Sequence, residues 1–483
     1  MFVLFLLTVF FQEINSMDIK HRDPEEYIKN QKYSIEELPF EIISQLLNYL
    51  DGNSKNNAKF INKLFNKGYH MSKHYPESSF VKIKIGDIKT SYVNGYGEEE
   101  YKYKYETTSN LFIEKYKGKK VIYEPKNIFF SFINFYDTNK NYKNIKEIIE
   151  CLNEKNKIDS YFNINLDLNR VSTKTNINDY DDNLIKILKL FYKKNIFNIK
   201  YLDISYNRFN LKEIEDISEV LFTFNNIKEL NISNSHLIDS EMDKISEIIS
   251  KMKSLKSLDL SGNEINDIGI KNLYEKCKDL RLNKINLHSN NIGTTKTQYL
   301  GAFLKINNTS LQHLDVSYNS LEHKNLLGFS KALLLLENIT EINLCSNYID
   351  DKALKMISNN LINLKRLRVL DLSHNQIKLE NHNDLLNLFD NIKEIEKIDM
   401  SHNYIGIEGS KYIIKKLSSL KKLKSLNFSS NQMRSDGILG IIDSLKHRKL
   451  DKLDLSFNYV KSNKKESVAS SLREIKNIDN LKV

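Results

Sequence analysis

The chain has 483 residues, of which 28% are charged and 40% hydrophobic, a length that allows two or three domains. A net charge of +10 is compatible with nucleic-acid binding. However, the lysines are scattered along the sequence and no basic strip with interleaved aromatic residues occurs, so we predict no nucleic-acid partner. Three cysteines cannot form a disulfide framework, which favours a reducing compartment.

The amino-terminal segment, residues 1–16, has two interpretations. Residues 2–11 form an apolar run and polar residues follow up to Ser16, which fits a short secretory signal, although the basic start of such signals is absent. Met17 follows directly, so a misassigned start codon would give the same pattern. The run is too short to span a bilayer, and we predict no membrane span. We predict a cytoplasmic protein, with secretion as the alternative.

Residues 33–72 form a predicted helical motif. Pro39 suits the first turn of a helix, where no backbone donor is needed, and Glu41 lies near the positive end of the helix dipole. Apolar residues then recur at helical spacing in two segments: Ile42, Ile43, Leu46, Leu47 and Leu50, followed by Phe60, Ile61, Leu64 and Phe65.

This motif resembles an F-box. The pairs Leu38-Pro39, Glu41-Ile42 and Tyr49-Leu50 and the phrase at residues 62–65 match the family pattern, whereas the polar link at residues 53–57 and the lack of a following Trp depart from it. The resemblance implies docking on a Skp1-like adaptor of a cullin ubiquitin ligase. The residues implied are Leu38, Pro39, Glu41, Ile42, Leu46, Leu50, Phe60, Ile61 and Phe65. A helical pair that merely precedes the next domain is the alternative.

Residues 73–160 change to alternating apolar and polar residues. Val81, Ile83 and Ile85 alternate with lysines, and three tyrosines follow the same pattern at residues 101–105. Alternation of period two predicts short strands between residues 80 and 135, with one buried face. The pattern indicates no function for this region.

A six-residue phrase dominates residues 161–483. It ends in Asn in nine of ten copies, with Ser235 in the second copy, and successive copies are 27 to 29 residues apart. The copies occupy residues 202–207, 230–235, 258–263, 285–290, 314–319, 342–347, 370–375, 398–403, 426–431 and 453–458. Leu258 and Leu260 alternate with polar residues, so each copy predicts a strand with one buried face. The closing Asn can bond backbone groups of neighbouring repeats, and we expect a weaker ladder at Ser235.

Each interval leaves room for a helix of about three turns. After the third copy, Asp267 is the predicted helix cap, with Ile268, Ile270 and Leu273 on one apolar side. End caps are predicted as a strand at 164–168 with a helix at 184–191, and as a helix at 467–475 with a strand at 478–481.

The period and the phrase resemble leucine-rich repeats, and the helix starts at residues 266–269 and 435–438 resemble the ribonuclease-inhibitor-like subclass. The resemblance predicts an α/β leucine-rich-repeat solenoid: a horseshoe with a parallel inner sheet and outer helices, preceded by a small N-terminal helical plus β region. Repeats after an F-box are a common arrangement of that family.

The inner, concave face is the predicted binding surface. Its central column alternates Asp with Asn except at Asp371 and Asp399, because adjacent carboxylates would repel. This column indicates either an acidic trough for a basic protein or merely the repeat consensus. The residues predicted to contact a partner are Tyr201, Asp203, Glu229, Asp259, Lys284, His313, Asp315, Glu341, Asp371, Lys397, Asp399 and Asp454.

No catalytic motif is recognisable in the sequence. Stacked His374 and His402 are the nearest approach to a metal site, and surface drift explains them better, so we predict no metal and no cofactor. The sequence therefore predicts a monomeric, non-enzymatic protein that recognises a protein partner, as the substrate receptor of an SCF-type ubiquitin ligase. The alternatives are a leucine-rich-repeat scaffold or regulator without a ligase role, and a secreted effector if residues 1–16 are cleaved.

Overall fold

The structure is a computed structural model and describes most of the repeat region. The described residues are 80–86, 88–93, 99–104, 127–133, 163–168, 183–193, 198–379, 387–474 and 478–482. The segment 1–16 and the F-box-like motif predicted at residues 33–72 lie outside the described residues.

Among the described residues, four strands lie between residues 80 and 135, as the alternating pattern predicted. They are β1 (Phe80–Gly86), β2 (Ile88–Val93), β3 (Glu99–Lys104) and β4 (Asn127–Ile133). Strands β2 and β3 pair antiparallel, with Ile88 opposite Lys104.

Each of the ten repeat phrases contributes a short strand to one sheet, and the segments before and after the phrases add one strand each. These strands are β5 (Asn163–Asp167), β6 (Ile199–Asp203), β7 (Glu229–Asn231), β8 (Ser257–Asp259), β9 (Lys284–Asn286), β10 (His313–Asp315), β11 (Glu341–Asn343), β12 (Val369–Asp371), β13 (Lys397–Asp399), β14 (Ser425–Asn427), β15 (Leu450–Asp454) and β16 (Ile478–Lys482). Within the described residues the sheet has fourteen strands, in the order β1, β4 and then β5 to β16. From β5 onward neighbouring strands are parallel, and equivalent residues of successive repeats pair, as Leu230 does with Leu258.

Helices alternate with these strands and pack side by side as a second layer. They are α1 (Asn183–Lys193), α2 (Leu211–Leu221), α3 (Asp239–Lys251), α4 (Asp267–Lys276), α5 (Gln298–Ile306), α6 (Leu327–Leu333), α7 (Asp351–Ser358), α8 (Asn387–Asn391), α9 (Gly406–Leu417), α10 (Arg434–Leu445) and α11 (Lys465–Glu474). The predicted terminal elements are confirmed as β5 with α1 and α11 with β16, but β5 does not end the sheet, because β4 and β1 continue it.

The core lies between the sheet and the helices. Leu258 and Leu260 of the strand phrase and Ile270 and Leu273 of α4 are at most 1% exposed. The prediction for Ile268 was wrong, because this side chain is 59% exposed. Its position two residues before Ile270 places it on the outer side of the helix.

The prediction that Asp267 caps α4 was also wrong. Asn266 is the N-cap, and its side chain accepts from the backbone N–H of Ile268. Asp267 begins the helix, and one of its carboxylate oxygens accepts from the backbone N–H and the hydroxyl of Thr295, at 3.1 and 2.8 Å. An acidic residue at this place therefore joins two repeats.

The closing asparagines form a buried ladder that joins the repeats. Asn263 Nδ2 donates to the carbonyls of Ile232 in the preceding repeat and Leu260 in its own, at 3.0 and 2.9 Å. Its Oδ1 accepts from the backbone N–H groups of Ser235 and Leu237, at 3.0 and 3.1 Å. One side chain thus satisfies buried backbone groups of two turns, which explains why Asn recurs at this position.

Ser235 interrupts this ladder, as the sequence predicted. Its hydroxyl donates to the carbonyl of Ser233 in its own repeat, at 3.1 Å. Further along the chain, the Leu260 carbonyl accepts from the amides of both Asn263 and Asn290, whereas the Ile232 carbonyl accepts from Asn263 alone among the described side chains. A serine is too short to reach the preceding repeat.

Candidate functional site

The exposed face of strands β6 to β15, opposite the helices, carries every residue of the predicted partner-binding set. We call it the strand face. In each strand the middle apolar residue is buried, as Leu314 is, and its two neighbours lie on the strand face. His313 and Asp315 therefore belong to two parallel columns, an outer column before the buried residue and an inner column after it.

The outer column is accessible and varied in charge. Glu229, Lys284, Glu341 and Lys397 are exposed, while Tyr201 and His313 are half-buried. Neighbours in this column interact across strands, as His313 Nδ1 lies 3.1 Å from Glu341 Oε2. These side chains can therefore contact a partner without disturbing the sheet.

The inner column is bonded within itself. Asp259 Oδ1 accepts from the backbone N–H and hydroxyl of Ser261, at 2.9 and 2.6 Å. Its Oδ2 accepts from Nδ2 of Asn286 on the next strand, at 2.8 Å. The same bond from Asn to Asp recurs in three further strand pairs: Asn231 to Asp203, Asn343 to Asp315 and Asn427 to Asp399, at 2.7 to 2.9 Å. The alternation of Asp and Asn is a set of hydrogen-bonded pairs.

The inner carboxylates are correspondingly less available to a partner. Asp203 and Asp454 are buried, and Asp259, Asp315 and Asp399 are half-buried. Repulsion between neighbouring carboxylates is enough to predict that Asp and Asn alternate. The hydrogen bond from Asn to Asp was not predicted, because it depends on how far the two side chains reach between strands.

Asp371 is the exception in the inner column. Its Oδ1 accepts from the backbone N–H and hydroxyl of Ser373, at 2.8 and 2.6 Å. On the preceding strand the amide of Asn343 donates to Asp315, and the residue opposite Asp371 on the following strand is Asp399. Burial raises the pKa of Asp371, the two bonds from Ser373 oppose this, and the charges of Asp399 and Asp315 raise it further. The rise that Asp399 causes in the pKa of Asp371 agrees with the repulsion predicted between these two carboxylates.

The residue before each closing Asn lies in a left-handed turn, and this turn brings His374 and His402 together. Their φ angles are both +53°, and their rings stack with centroids 4.0 Å apart and planes 10° apart. Burial and the neighbouring His374 lower the pKa of His402, while Asp399 opposes the shift. Parallel rings direct their nitrogen lone pairs in parallel planes, a poor geometry for holding one ion between them.

Neither a metal cluster nor a membrane-spanning helix occurs in the described part of the chain. No three His, Cys, Asp or Glu side chains there lie close enough together to hold a metal ion. None of the helices described is long and apolar enough to cross a bilayer. The thiols of Cys277 and Cys345 are buried and free, and burial raises the pKa of Cys277 to about 12.

These features define the class of protein: an α/β solenoid of leucine-rich repeats that displays a parallel sheet. Family models agree with this assignment. One described as "Leucine Rich repeat" matches residues 251–273, 307–322 and 419–441, and a second described as "Leucine Rich Repeat" matches residues 366–388. All four segments lie within the array of strands and helices.

The chain is also similar to solved structures of internalins from Listeria monocytogenes. An internalin is 20% identical with a TM-score of 0.43, over 67% of this chain and 81% of that one. An internalin C2 is 19% identical with a TM-score of 0.30, over 55% of this chain and 82% of that one. No curated protein matches the chain at a significant level.

Proposed function

We propose that this chain is a non-catalytic recognition protein that binds a protein partner on its strand face. The observation that carries the proposal is the contrast between the two columns. The inner column is uniform and bonded within the sheet, whereas the outer column varies in charge and is exposed. A repeated scaffold with a variable, accessible column is suited to selective recognition.

The dimensions of the strand face favour a macromolecule. Ten strands at the usual spacing give roughly 45 Å along the sheet. Such a broad and shallow surface suits a protein partner rather than a small molecule. The protein acts as a monomer in this proposal, and its buried free thiols are compatible with a cytoplasmic location.

The direct test is charge reversal in the outer column. We expect Glu229→Lys, Lys284→Glu and Glu341→Lys together to weaken binding of a partner, first captured with the full chain and then purified, by about tenfold or more. The matched control, Glu215→Lys, Glu219→Lys and Lys305→Glu, makes the same change in net charge at exposed helix positions and should leave the affinity unchanged. Equal affinity of both variants would refute binding on the strand face.

We further propose that the bound protein is the substrate of an SCF-type ubiquitin ligase, and that the repeats are of the ribonuclease-inhibitor-like subclass. The support is the F-box-like motif at residues 33–72, placed before leucine-rich repeats, together with the helix starts at residues 266–269 and 435–438. In this role the motif docks on a Skp1-like adaptor while the strand face holds the substrate.

The ligase role predicts co-purification with the adaptor. We expect a Skp1-like protein to accompany the tagged full chain and to be lost on Leu38→Ala with Pro39→Ala. Lys55→Ala with Asn56→Ala, in the polar link, should retain it. If no adaptor is recovered with the unaltered chain, the ligase role is wrong and a recognition scaffold remains.

A further inference from the structure

Three lysines form a column at the amino-terminal ends of the first repeat strands. Lys200 lies in β6, and Lys228 and Lys256 directly precede β7 and β8. Their backbones are bonded in series, because the N–H of Lys228 donates to the carbonyl of Lys200 and the N–H of Lys256 to that of Lys228, each at 2.7 Å. The three residues therefore occupy equivalent places on three successive turns. We call them the lysine column.

The charges of the lysine column are uncompensated. In the described part of the chain, neither Lys200 nor Lys228 forms an ion pair, and Lys256 Nζ donates to the neutral carbonyl of Arg281. Burial lowers the pKa of Lys200, and the neighbouring charge of Lys228 lowers it further. Like charges on adjacent turns are unfavourable in the free protein, and an anion placed between them would relieve this.

The same position in later repeats is neutralised within the protein. The next three repeats hold the uncharged Asn283, Gln312 and Thr340, and the three after them hold Arg368, Glu396 and Lys424, whose signs alternate. Lys424 Nζ lies 2.6 Å from Glu396 Oε2, and Arg368 Nε lies 3.7 Å from Glu396 Oε1. Accordingly, the bond from Lys424 lowers the pKa of Glu396. At this position of the repeat, the charged residues of the later repeats form ion pairs with one another, whereas among the described residues the three lysines of the lysine column do not.

An open cleft of about 580 Å³ lies in the turns that lead into β7 and β8. Its lining comprises Phe222, Asn225, Asn226, Lys251, Lys253 and Ser254. Asn226 and Ser254 stand two residues before Lys228 and Lys256 in the chain, so the cleft and the column share the same turns. Ammonium, amide and hydroxyl donors of this kind bind carboxylate oxygens.

Acidic residues outnumber basic ones on the outer helices of the same repeats. In α2 four acidic residues stand against Lys212, and in α3 four acidic residues stand against Lys244 and Lys251. A long polyanion such as nucleic acid would extend beyond the lysine column and meet these carboxylates. A short anionic segment would not.

We propose that the lysine column, with Lys251 of the cleft on the same turns, binds a short acidic peptide segment of a protein partner. This inference rests on the proposed function, because it assigns the chemistry of part of the recognised protein. Each lysine of the column directly precedes an outer-column position in the chain, so one partner that spans the ends of these strands can contact both.

The test uses a fluorescein-labelled decapeptide of glutamate and the full chain, with binding followed by anisotropy at low and physiological salt. We expect salt-sensitive binding, weakened by about tenfold or more in the variant Lys200→Gln, Lys228→Gln and Lys256→Gln. The control variant Lys305→Gln, Lys331→Gln and Lys393→Gln loses the same charge at exposed positions elsewhere and should bind as the unaltered chain does.

Two outcomes would overturn the proposal. One is equal weakening in both variants, which would reflect net charge alone. The other is equally tight, column-dependent binding of a labelled oligothymidylate of the same length, which would identify a nucleic-acid surface. Because the probe is a peptide and not the partner, failure here leaves recognition by the outer column untouched. Circular dichroism of each variant checks that the fold is retained.

Discussion

At the scale of single residues, the aspartates of the inner column differ in the partner of their second carboxylate oxygen. Asp315 Oδ2 accepts from Asn343 on the next strand at 2.8 Å. Asp371 instead faces Asp399 on the next strand, and its pKa is raised by burial first and by neighbouring carboxylates next. The same residue type is therefore favourable at one position and unfavourable at the other.

This difference predicts the effect of Asp371→Asn. A raised pKa means that the folded state favours the protonated carboxyl, so its favourable contribution to stability exists below the unfolded pKa and is lost as the pH rises through the folded pKa. At neutral pH the ionised carboxylate is a cost. We expect the substitution to raise the free energy of unfolding by about 1 kcal/mol at neutral pH, with the gain disappearing on acidification below the unfolded pKa. Urea denaturation across this pH range measures both effects.

The control for this prediction is Asp315→Asn in the neighbouring pair. This change removes the acceptor of the Asn343 amide, and we expect it to lower the free energy of unfolding by about 1 kcal/mol at neutral pH. If both substitutions destabilise the protein equally, charge repulsion at Asp371 and Asp399 is not a significant cost.

At the scale of elements, the strands follow the sequence more closely than the helices do. The strand phrase must place one Asn in reach of the preceding repeat, so its length and register are fixed. A helix only has to bury some apolar residues, and its length varies from seven residues in α6 to thirteen in α3. Its first residue depends on local capping, which is why Asn266 rather than Asp267 caps α4.

The ladder of asparagines predicts that Ser235→Asn stabilises the protein. In the regular repeats the amide reaches the preceding repeat, as Asn263 reaches Ile232, and at Ser235 this connection is missing. An Asn there would reach the Ile204 carbonyl and add a second donor at Ile232. We expect the free energy of unfolding to rise by about 1 kcal/mol, measured by urea denaturation.

The reverse substitution in the next repeat serves as the comparison. Asn263→Ser removes the donors to Ile232 and Leu260 and the acceptor for Ser235 and Leu237, all of them buried backbone groups. We expect it to lower the free energy of unfolding by about 2 kcal/mol or more. If neither substitution changes the free energy of unfolding, water satisfies these backbone groups as well as the asparagine side chain does.

At the scale of the whole molecule, the period of the sequence predicts the architecture because every repeat buries its apolar face only against its neighbours. Ten phrases therefore predict ten parallel strands, and the alternation at Leu258 and Leu260 predicts their buried side. The binding columns follow from the same register. The pairing of equivalent residues on neighbouring strands, such as Leu230 with Leu258, was therefore predictable from the sequence.

The hydrogen bonds made by individual side chains were not predictable. The bond from Thr295 to Asp267 and the bond from Asn286 to Asp259 depend on side-chain reach across two turns. The uncompensated charge of Lys200 and Lys228 likewise becomes visible only when the ion pairs of later repeats are seen beside it. Periodicity fixes which residues are neighbours and leaves their bonding to local geometry.

The stacked architecture finally predicts how the protein responds when its end is opened. Helix α11 packs on α10, and its Val468 is 4% exposed. Val468→Glu places a charge against this apolar contact, so the carboxyl-terminal repeats should open first. We expect hydrogen exchange to accelerate by about tenfold or more in β15 and β16 and to remain unchanged in β8 to β10. Ser467→Glu, at an exposed position of the same helix, should change neither region. Equal acceleration along the whole array would instead mean that the repeats unfold as one cooperative unit.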